Sequence, residues 1–174
     1  MTMNPKTKPA PVTKQKRKVP GPGATTETRK RKLLVVDDDR QIREALRKLL
    51  HAEGYEVGLA ATGQEGIEKF NAERFDLLLL DLNLPDHNGW DVFETLTARN
   101  PCLPIIIITG RESQYDLAAG AGVGALIEKP LDVPRLLETV QALMTEPLAV
   151  HLKRLAGQSR DARYVPPTRP ATAT

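Results

Sequence analysis

Four consecutive leucines at residues 77–80, ended by Asp81, are the feature that most constrains the fold of this chain. A short apolar run bounded by turn-forming residues is typical of a strand that is buried on both faces of a parallel sheet. The residues that follow, from Leu82 to Gly89, include Pro85 and two asparagines and predict a loop. Because ligands of open α/β sheets bind just beyond the carboxyl ends of the strands, this pattern places Asp81 in position for chemistry.

Three further apolar runs also end in polar residues. These runs are 33–36, followed by Asp37, Asp38 and Asp39; 105–108, followed by Thr109; and 124–128, followed by Lys129 and Pro130. The carboxyl ends of parallel strands meet at one edge of a sheet, so we expect a shallow cleft that holds carboxylates, a hydroxyl and an ammonium group. Helical spacing of apolar residues alternates with these strands and with a fifth strand at residues 55–60. The sequence therefore predicts an α/β fold with a doubly wound, five-stranded parallel sheet.

The four polar strand ends, taken in order, resemble the receiver domain of two-component response regulators. The segments that carry the resemblance are VVDDD at 35–39, LLLLDLNLP at 77–85, IIIITG at 105–110 and EKP at 128–130. The resemblance is strongest to single-domain, chemotaxis-regulator-like members and covers roughly residues 33–145. It implies a flavodoxin-like (βα)5 domain, which we place at residues 32–146.

The resemblance implies a phosphoryl acceptor and a metal site. Asp81 would accept a phosphoryl group from a histidine kinase or a histidine phosphotransfer protein. Asp38, Asp81 and the backbone carbonyl of Asn83 would coordinate Mg²⁺ directly, and Asp37 would act through water. The residues alone point the same way, because clustered carboxylates either raise their pKa values or recruit a cation, and oxygen ligands suit Mg²⁺. Asp39 lies one place beyond the matching pair and is predicted to cap the first helix.

The resemblance also implies roles for two residues that contact the phosphoryl group. Lys129 would neutralise charge on the transferring oxygens, and Thr109 would donate a hydrogen bond to the product. The peptide between Lys129 and Pro130 would be cis. Asn83 and Arg111 lie where they could influence attack by water on the acyl phosphate.

The chain departs from the family pattern at Leu126. The family has an aromatic residue three positions before the lysine, and that residue moves together with the threonine. A leucine gives no large aromatic swing. We therefore hypothesise that output depends on order and disorder of residues 112–122, a fourth helix that the glycines near its end predict to be short.

The charge is unevenly distributed along the chain. Residues 1–32 hold ten Lys and Arg against one acidic residue, residues 33–146 hold ten against twenty, and residues 147–174 hold five against one. We expect residues 1–31 to be a disordered basic tail and residues 147–174 to be a basic tail, with at most a short helix before further disorder. The basic tails are also consistent with contact to an anionic membrane surface, an acidic protein or nucleic acid, of which nucleic acid is disfavoured because no aromatic residues interleave with the basic residues of the amino-terminal tail.

These patterns favour a stand-alone response regulator that signals to a downstream protein target by phosphorylation-dependent contacts. Such a protein is a signalling switch instead of a turnover enzyme. The single cysteine, Cys102, and the lack of a long apolar stretch predict a cytoplasmic protein without a membrane span. The competing hypothesis is a phosphorylation-independent adaptor that keeps the receiver fold as a scaffold and acts through its basic tails. A magnesium-dependent phosphatase on a similar sheet is disfavoured because Asn83 occupies the place of its second carboxylate.

Overall fold

The computed structural model describes residues 29–111, 113–159 and 161–168. The described strands are β1 (Lys32–Val36), β2 (Glu56–Ala60), β3 (Leu77–Asp81), β4 (Ile105–Thr109), β5 (Ala125–Glu128) and β6 (Arg163–Val165). The described helices are α1 (Arg40–Ala52), α2 (Gly63–Ala72), α3 (Gly89–Arg99), α4 (Tyr115–Gly120), α5 (Val133–Met144) and α6 (Leu148–Leu155). Nearly all of the predicted amino-terminal tail lies outside the described residues.

The strands form one parallel sheet in the order β2-β1-β3-β4-β5-β6. All five residues of β3 and all five of β4 are buried. Alternate residues of these strands face opposite sides of the sheet, as strand geometry requires. Leu78 and Leu80 pack in a cluster with residues of α2, α3 and α4, whereas Leu77 and Leu79 pack in a cluster with residues of α1 and α5. The predicted doubly wound α/β fold is confirmed.

Local capping explains where the first two helices begin. Asp39 accepts hydrogen bonds from the backbone N–H groups of Gln41 and Ile42, so it caps α1 as its position predicts. Thr62 caps α2 by accepting from the backbone N–H of Glu65. The Glu65 carboxylate accepts a hydrogen bond of 2.7 Å from the backbone N–H of Ala61. This contact lies one residue before the position that a reciprocal capping box would use.

The carboxyl-terminal segment departs from its prediction. Residues 147–174 were expected to end in disorder after a short helix. The helix is present as α6, but residues 163–165 then form a sixth strand beside β5, where the expected sheet has five strands. Tyr164 and Val165 favour a strand, and Pro166 can follow because β6 lies at the edge of the sheet. The expected short fourth helix is confirmed, since α4 has six residues.

Candidate functional site

Three residues from three strand ends meet at the carboxyl edge of the sheet. The Lys129 ammonium lies 2.8 Å from Asp37 Oδ2 and 2.6 Å from Asp81 Oδ2. Asp37 is 1% exposed and Asp81 is 2% exposed, so both carboxylates are removed from bulk water. The peptide between Lys129 and Pro130 is cis, as predicted. One cation therefore lies between two buried carboxylates and offsets one of their two negative charges, which weakens their mutual repulsion.

The pKa values of this cluster follow from its burial. Burial raises the pKa of the Asp37 carboxyl, and hydrogen bonds from Lys129 and from the backbone N–H of Asp39 only partly offset this effect. Burial lowers the pKa of Lys129, but its hydrogen bonds to Asp37 and Asp81 outweigh that effect, and the pKa lies above its usual value. Lys129 therefore stays charged at neutral pH.

Asp38 completes a group of three carboxylates. One oxygen from each of Asp37, Asp38 and Asp81 lies within 4.8 Å of the other two, and Asp38 is exposed. The donors are hard oxygen atoms, and one of them faces solvent. This donor set fits Mg²⁺, which keeps several waters and binds through one or two carboxylates. The structure thus brings together the three predicted carboxylates.

Hydrogen bonds link Asp81 to Asn83, Asn83 to Arg111 and Arg111 to Thr109. Thr109 is fully buried, and its hydroxyl accepts a hydrogen bond of 2.9 Å from the backbone N–H of Arg111. The backbone N–H of Asn83 donates to Asp81 Oδ1 at 2.9 Å, which orients the carboxylate. The Arg111 guanidinium donates to the side-chain oxygen of Asn83. The two residues that were predicted to influence water attack are thus in direct contact beside Asp81.

Comparison with known proteins decides the family. The family model described as "Response regulator receiver domain" matches residues 33–141, which is more than half of the chain. The chain belongs to the response regulator receiver domain family. Receiver domains are signalling modules.

Curated relatives of this receiver domain include full-length response regulators. It is similar to Response regulator MprA of Mycobacterium ulcerans, with 39% identity over 115 residues, which cover 65% of this chain and 50% of the relative. MprA of Mycobacterium avium is 38% identical over the same length and coverage. The chain therefore spans about half the length of the curated relatives that it matches. The expectation that this regulator acts alone stays a prediction.

Solved structures show the same fold. A CheY-like receiver domain protein from Methanospirillum hungatei matches with a TM-score of 0.64 and 35% identity, covering 71% of this chain and 98% of that chain. Response regulator TrrA from Thermotoga maritima, in complex with Mg²⁺ and BeF, matches with a TM-score of 0.61 and 30% identity, covering 65% of this chain and 98% of that chain. Receiver domains bind Mg²⁺ at the acidic pocket, in agreement with the carboxylate group found here.

This receiver domain has an aromatic pair near the position where the family pattern predicts an aromatic residue. Leu126 is fully buried among core residues. Its partner in the sheet register is Tyr164 of β6, and the Tyr164 ring contacts the ring of Tyr115 at a centroid distance of 5.5 Å. Sequence reasoning missed Tyr164 because it lies in a proline-rich tail. The Tyr–Val dipeptide before Pro166 was the only local signal for a strand.

Among the described residues, no helix combines the length and the apolar character that crossing a membrane requires.

Proposed function

We propose that this receiver domain accepts a phosphoryl group on Asp81 from a phosphohistidine of a histidine kinase or a histidine phosphotransfer protein. One observation carries the proposal. Asp81 is a buried carboxylate at the end of the central strand β3, and it lies 2.6 Å from the Lys129 ammonium and within 4.8 Å of two further carboxylates. A carboxylate in that setting is oriented and is matched with positive charge for an incoming phosphoryl group.

The transfer exchanges one bond to phosphorus for another. The bond between phosphorus and the histidine nitrogen breaks, and a bond forms between phosphorus and a carboxylate oxygen of Asp81. The leaving imidazole keeps the electron pair and takes up a proton from solvent. The transition state is loose, so the protein has to align the groups and neutralise charge and needs no strong base.

Lys129 and Thr109 are proposed to contact the transferred group. The Lys129 ammonium is already at the acceptor and can move from the carboxylate to a phosphoryl oxygen. The Thr109 hydroxyl accepts from Arg111, and its own hydrogen is left to donate to the phosphoryl group. Thr109 ends β4, which neighbours β3, and Lys129 directly follows β5, which lies one strand further. The sheet therefore fixes the positions of both residues.

Asp38, Asp81 and the backbone carbonyl of Asn83 are proposed to hold Mg²⁺, with Asp37 acting through water. When bound, Mg²⁺ would supply positive charge next to the oxygens of the transferring group. Asp37 has a separate task, because its Oδ1 accepts from the backbone N–H of Asp39 at 2.8 Å while its Oδ2 holds Lys129. These two contacts fix the position of the Asp37 carboxylate before phosphoryl transfer.

The phosphorylated domain is proposed to signal to a downstream protein target through contacts that depend on the acyl phosphate. The competing adaptor hypothesis, with contacts through the basic tails to protein or nucleic acid, would leave the carboxylate cluster without a task. The buried ion pairs of Lys129 therefore favour the phosphorylated switch.

The test is incubation of the full chain with Mg²⁺ and acetyl phosphate, followed by intact mass measurement. We expect one phosphate adduct on the wild type and none on Asp81→Asn, which keeps the size of the side chain. Asp91→Asn, which alters an exposed carboxylate on α3, is the matched control and should gain the adduct. Failure of the folded wild type to form an adduct would contradict the proposal and favour the adaptor hypothesis.

A further inference from the structure

The segment 161–168, which we name the carboxyl-terminal strap, covers the edge of the sheet. Its residues Arg163, Tyr164 and Val165 pair in parallel with Ala125, Leu126 and Ile127 of β5. The strap then continues toward the functional site. The backbone N–H and the hydroxyl of Thr168 both donate to the carbonyl oxygen of Pro130, each at 3.2 Å. The end of the strap is thus bonded to the residue that follows Lys129.

A second contact joins the strap to helix α4. The Tyr115 hydroxyl donates to the carbonyl oxygen of Ala162 at 3.2 Å. The Tyr115 ring also meets the ring of Tyr164 edge to face, with an interplanar angle of 64°. Both tyrosines remain partly exposed, at 37% and 47%. These two tyrosine contacts lie at the protein surface, whereas Val165 of the strap is 6% exposed and packs with core residues of β5 and α5.

Helix α6 is anchored independently of the strap. Arg154 is 3% exposed and donates to both carboxylate oxygens of Glu146, at 3.0 Å and 2.6 Å. His151 is buried beside it, and Leu155 of the same helix lies against Gly122. Release of residues 161–168 would therefore leave α6 in place. Release of the strap would uncover the buried side chain of Val165 but would break none of these α6 contacts.

Both strap contacts lie close in the chain to groups that would move on phosphorylation. Pro130 directly follows Lys129, whose ammonium would leave the Asp81 carboxylate oxygen for the phosphoryl group. Tyr115 lies a few residues after Thr109, whose hydroxyl is proposed to donate to the same group. A shift of either segment would lengthen the hydrogen bonds at Pro130 or Tyr115.

We propose that the carboxyl-terminal strap is an intramolecular ligand of β5 and α4 that binds the unphosphorylated domain more tightly than the phosphorylated one. The inference rests on the proposed function, since it assumes that Asp81 is the acceptor. Coupling between two sites is reciprocal, so weakening the strap must raise the affinity of the Asp81 site for a phosphoryl group or its analogue. Release of the strap would expose Tyr115 and the backbone edge of β5.

The first test is hydrogen exchange of the full chain with and without beryllofluoride and Mg²⁺, the analogue combination. We expect amides of β6 and Thr168 to exchange faster when the analogue is bound, while amides of α6 keep their protection. Asp81→Asn should show no response. Unchanged or increased protection of β6 in the wild type, with the analogue bound, would overturn the coupling.

The second test measures the affinity for beryllofluoride in Mg²⁺ by calorimetry. Tyr115→Phe removes the hydrogen bond to Ala162 and keeps the ring, and loss of one such bond changes an equilibrium by about five-fold. We therefore expect beryllofluoride to bind Tyr115→Phe more tightly than the wild type, by up to about five-fold. Tyr55→Phe is the matched control, because Tyr55 packs with the opposite face of the sheet, and its affinity should equal that of the wild type.

The outcomes of the two tests separate the two proposals. Equal affinity in Tyr115→Phe and the wild type, with normal analogue binding, overturns the strap coupling and leaves the acceptor function intact. A folded wild type that binds no beryllofluoride and forms no phosphate adduct overturns the acceptor function and the coupling together.

Discussion

The Lys129 ammonium lies 2.6 Å from a carboxylate oxygen of Asp81, the proposed acceptor. The same ammonium also pairs with Asp37, so the residue that follows β5 links the carboxylates at the ends of β1 and β3. A cation held between two buried carboxylates contributes to stability mainly through what its removal would leave behind. Lys129 thus has a structural task before phosphoryl transfer and a chemical one during it.

Replacing Lys129 should make stability depend on magnesium. Lys129→Met leaves two buried carboxylates without their cation, and we expect a loss of about 3 kcal/mol in the free energy of unfolding without divalent ions. Mg²⁺ should recover more stability in this variant than in the wild type, because it can neutralise the same carboxylates. Urea unfolding with and without Mg²⁺ measures both effects. Lys48→Met, at an exposed lysine, should change stability by less than about 0.5 kcal/mol. The same loss with and without Mg²⁺ would contradict the expectation.

The contact between Arg111 and Asn83 should slow hydrolysis of the acyl phosphate. The two side chains are exposed and bonded to each other, and the backbone N–H of Asn83 donates to Asp81, so we expect the pair to hinder the approach of water to the acyl phosphate. Arg111→Ala opens this side, and lowering the barrier by about 1 kcal/mol shortens the lifetime about five-fold. The decay of phosphorylated protein after removal of the phosphodonor measures the lifetime. Arg47→Ala, on the exposed face of α1, should decay like the wild type. A longer lifetime in Arg111→Ala would show that the guanidinium assists hydrolysis.

Asp86 should stabilise helix α2 in a pH-dependent way. Its carboxylate accepts from the backbone N–H groups of Gly63 and Gln64, at 2.8 Å and 2.9 Å. Partial burial raises the pKa of Asp86, but these hydrogen bonds and the one with His87 outweigh that effect and hold the pKa well below its usual value. Asp86→Ala should lower the free energy of unfolding by about 1–2 kcal/mol at neutral pH.

The pH dependence of that difference follows from the direction of the shift. A carboxyl with a lowered folded-state pKa contributes fully above its unfolded value of about 4, and the contribution is lost as the pH falls toward the folded value. Wild type and Asp86→Ala should therefore converge in stability below about pH 4. Glu94→Ala, at an exposed position of α3, should change stability by less than about 0.5 kcal/mol. A difference that stays constant down to acid unfolding would contradict the capping role.

Gly89 should not tolerate a side chain. A Cβ there would lie 2.4 Å from Leu82 Cα and 2.6 Å from the carbonyl oxygen of Asp81. Gly89→Ala must displace the backbone next to the acceptor, and we expect a loss of about 1–3 kcal/mol in the free energy of unfolding together with slower phosphorylation. Gly110→Ala is the control for stability, because a Cβ there meets nothing within 4 Å. Thermal unfolding compares the stabilities of Gly89→Ala and Gly110→Ala, and equal unfolding midpoints for the two variants would contradict this prediction.

The sequence determined the elements whose signals are local. The fully buried strands β3 and β4 follow from continuous apolar runs, and the start of α1 follows from Asp39. The order of the polar strand ends was sufficient to assign the family, and parallel strands bring those ends to one edge. These features depend on near neighbours in the chain or on the sheet direction alone.

Only the tertiary structure decided the contacts between distant residues. Asp86 caps a helix that begins 23 residues earlier in the chain, and Thr168 bonds to Pro130 across 38 residues. Neither contact leaves a periodic pattern in the sequence. Strand β6 was missed for the same reason, since three residues in a proline-rich tail become a strand only where β5 offers an unpaired edge. Hydrogen-bond partners of this kind are set by how the sheet brings segments together, which local sequence does not encode.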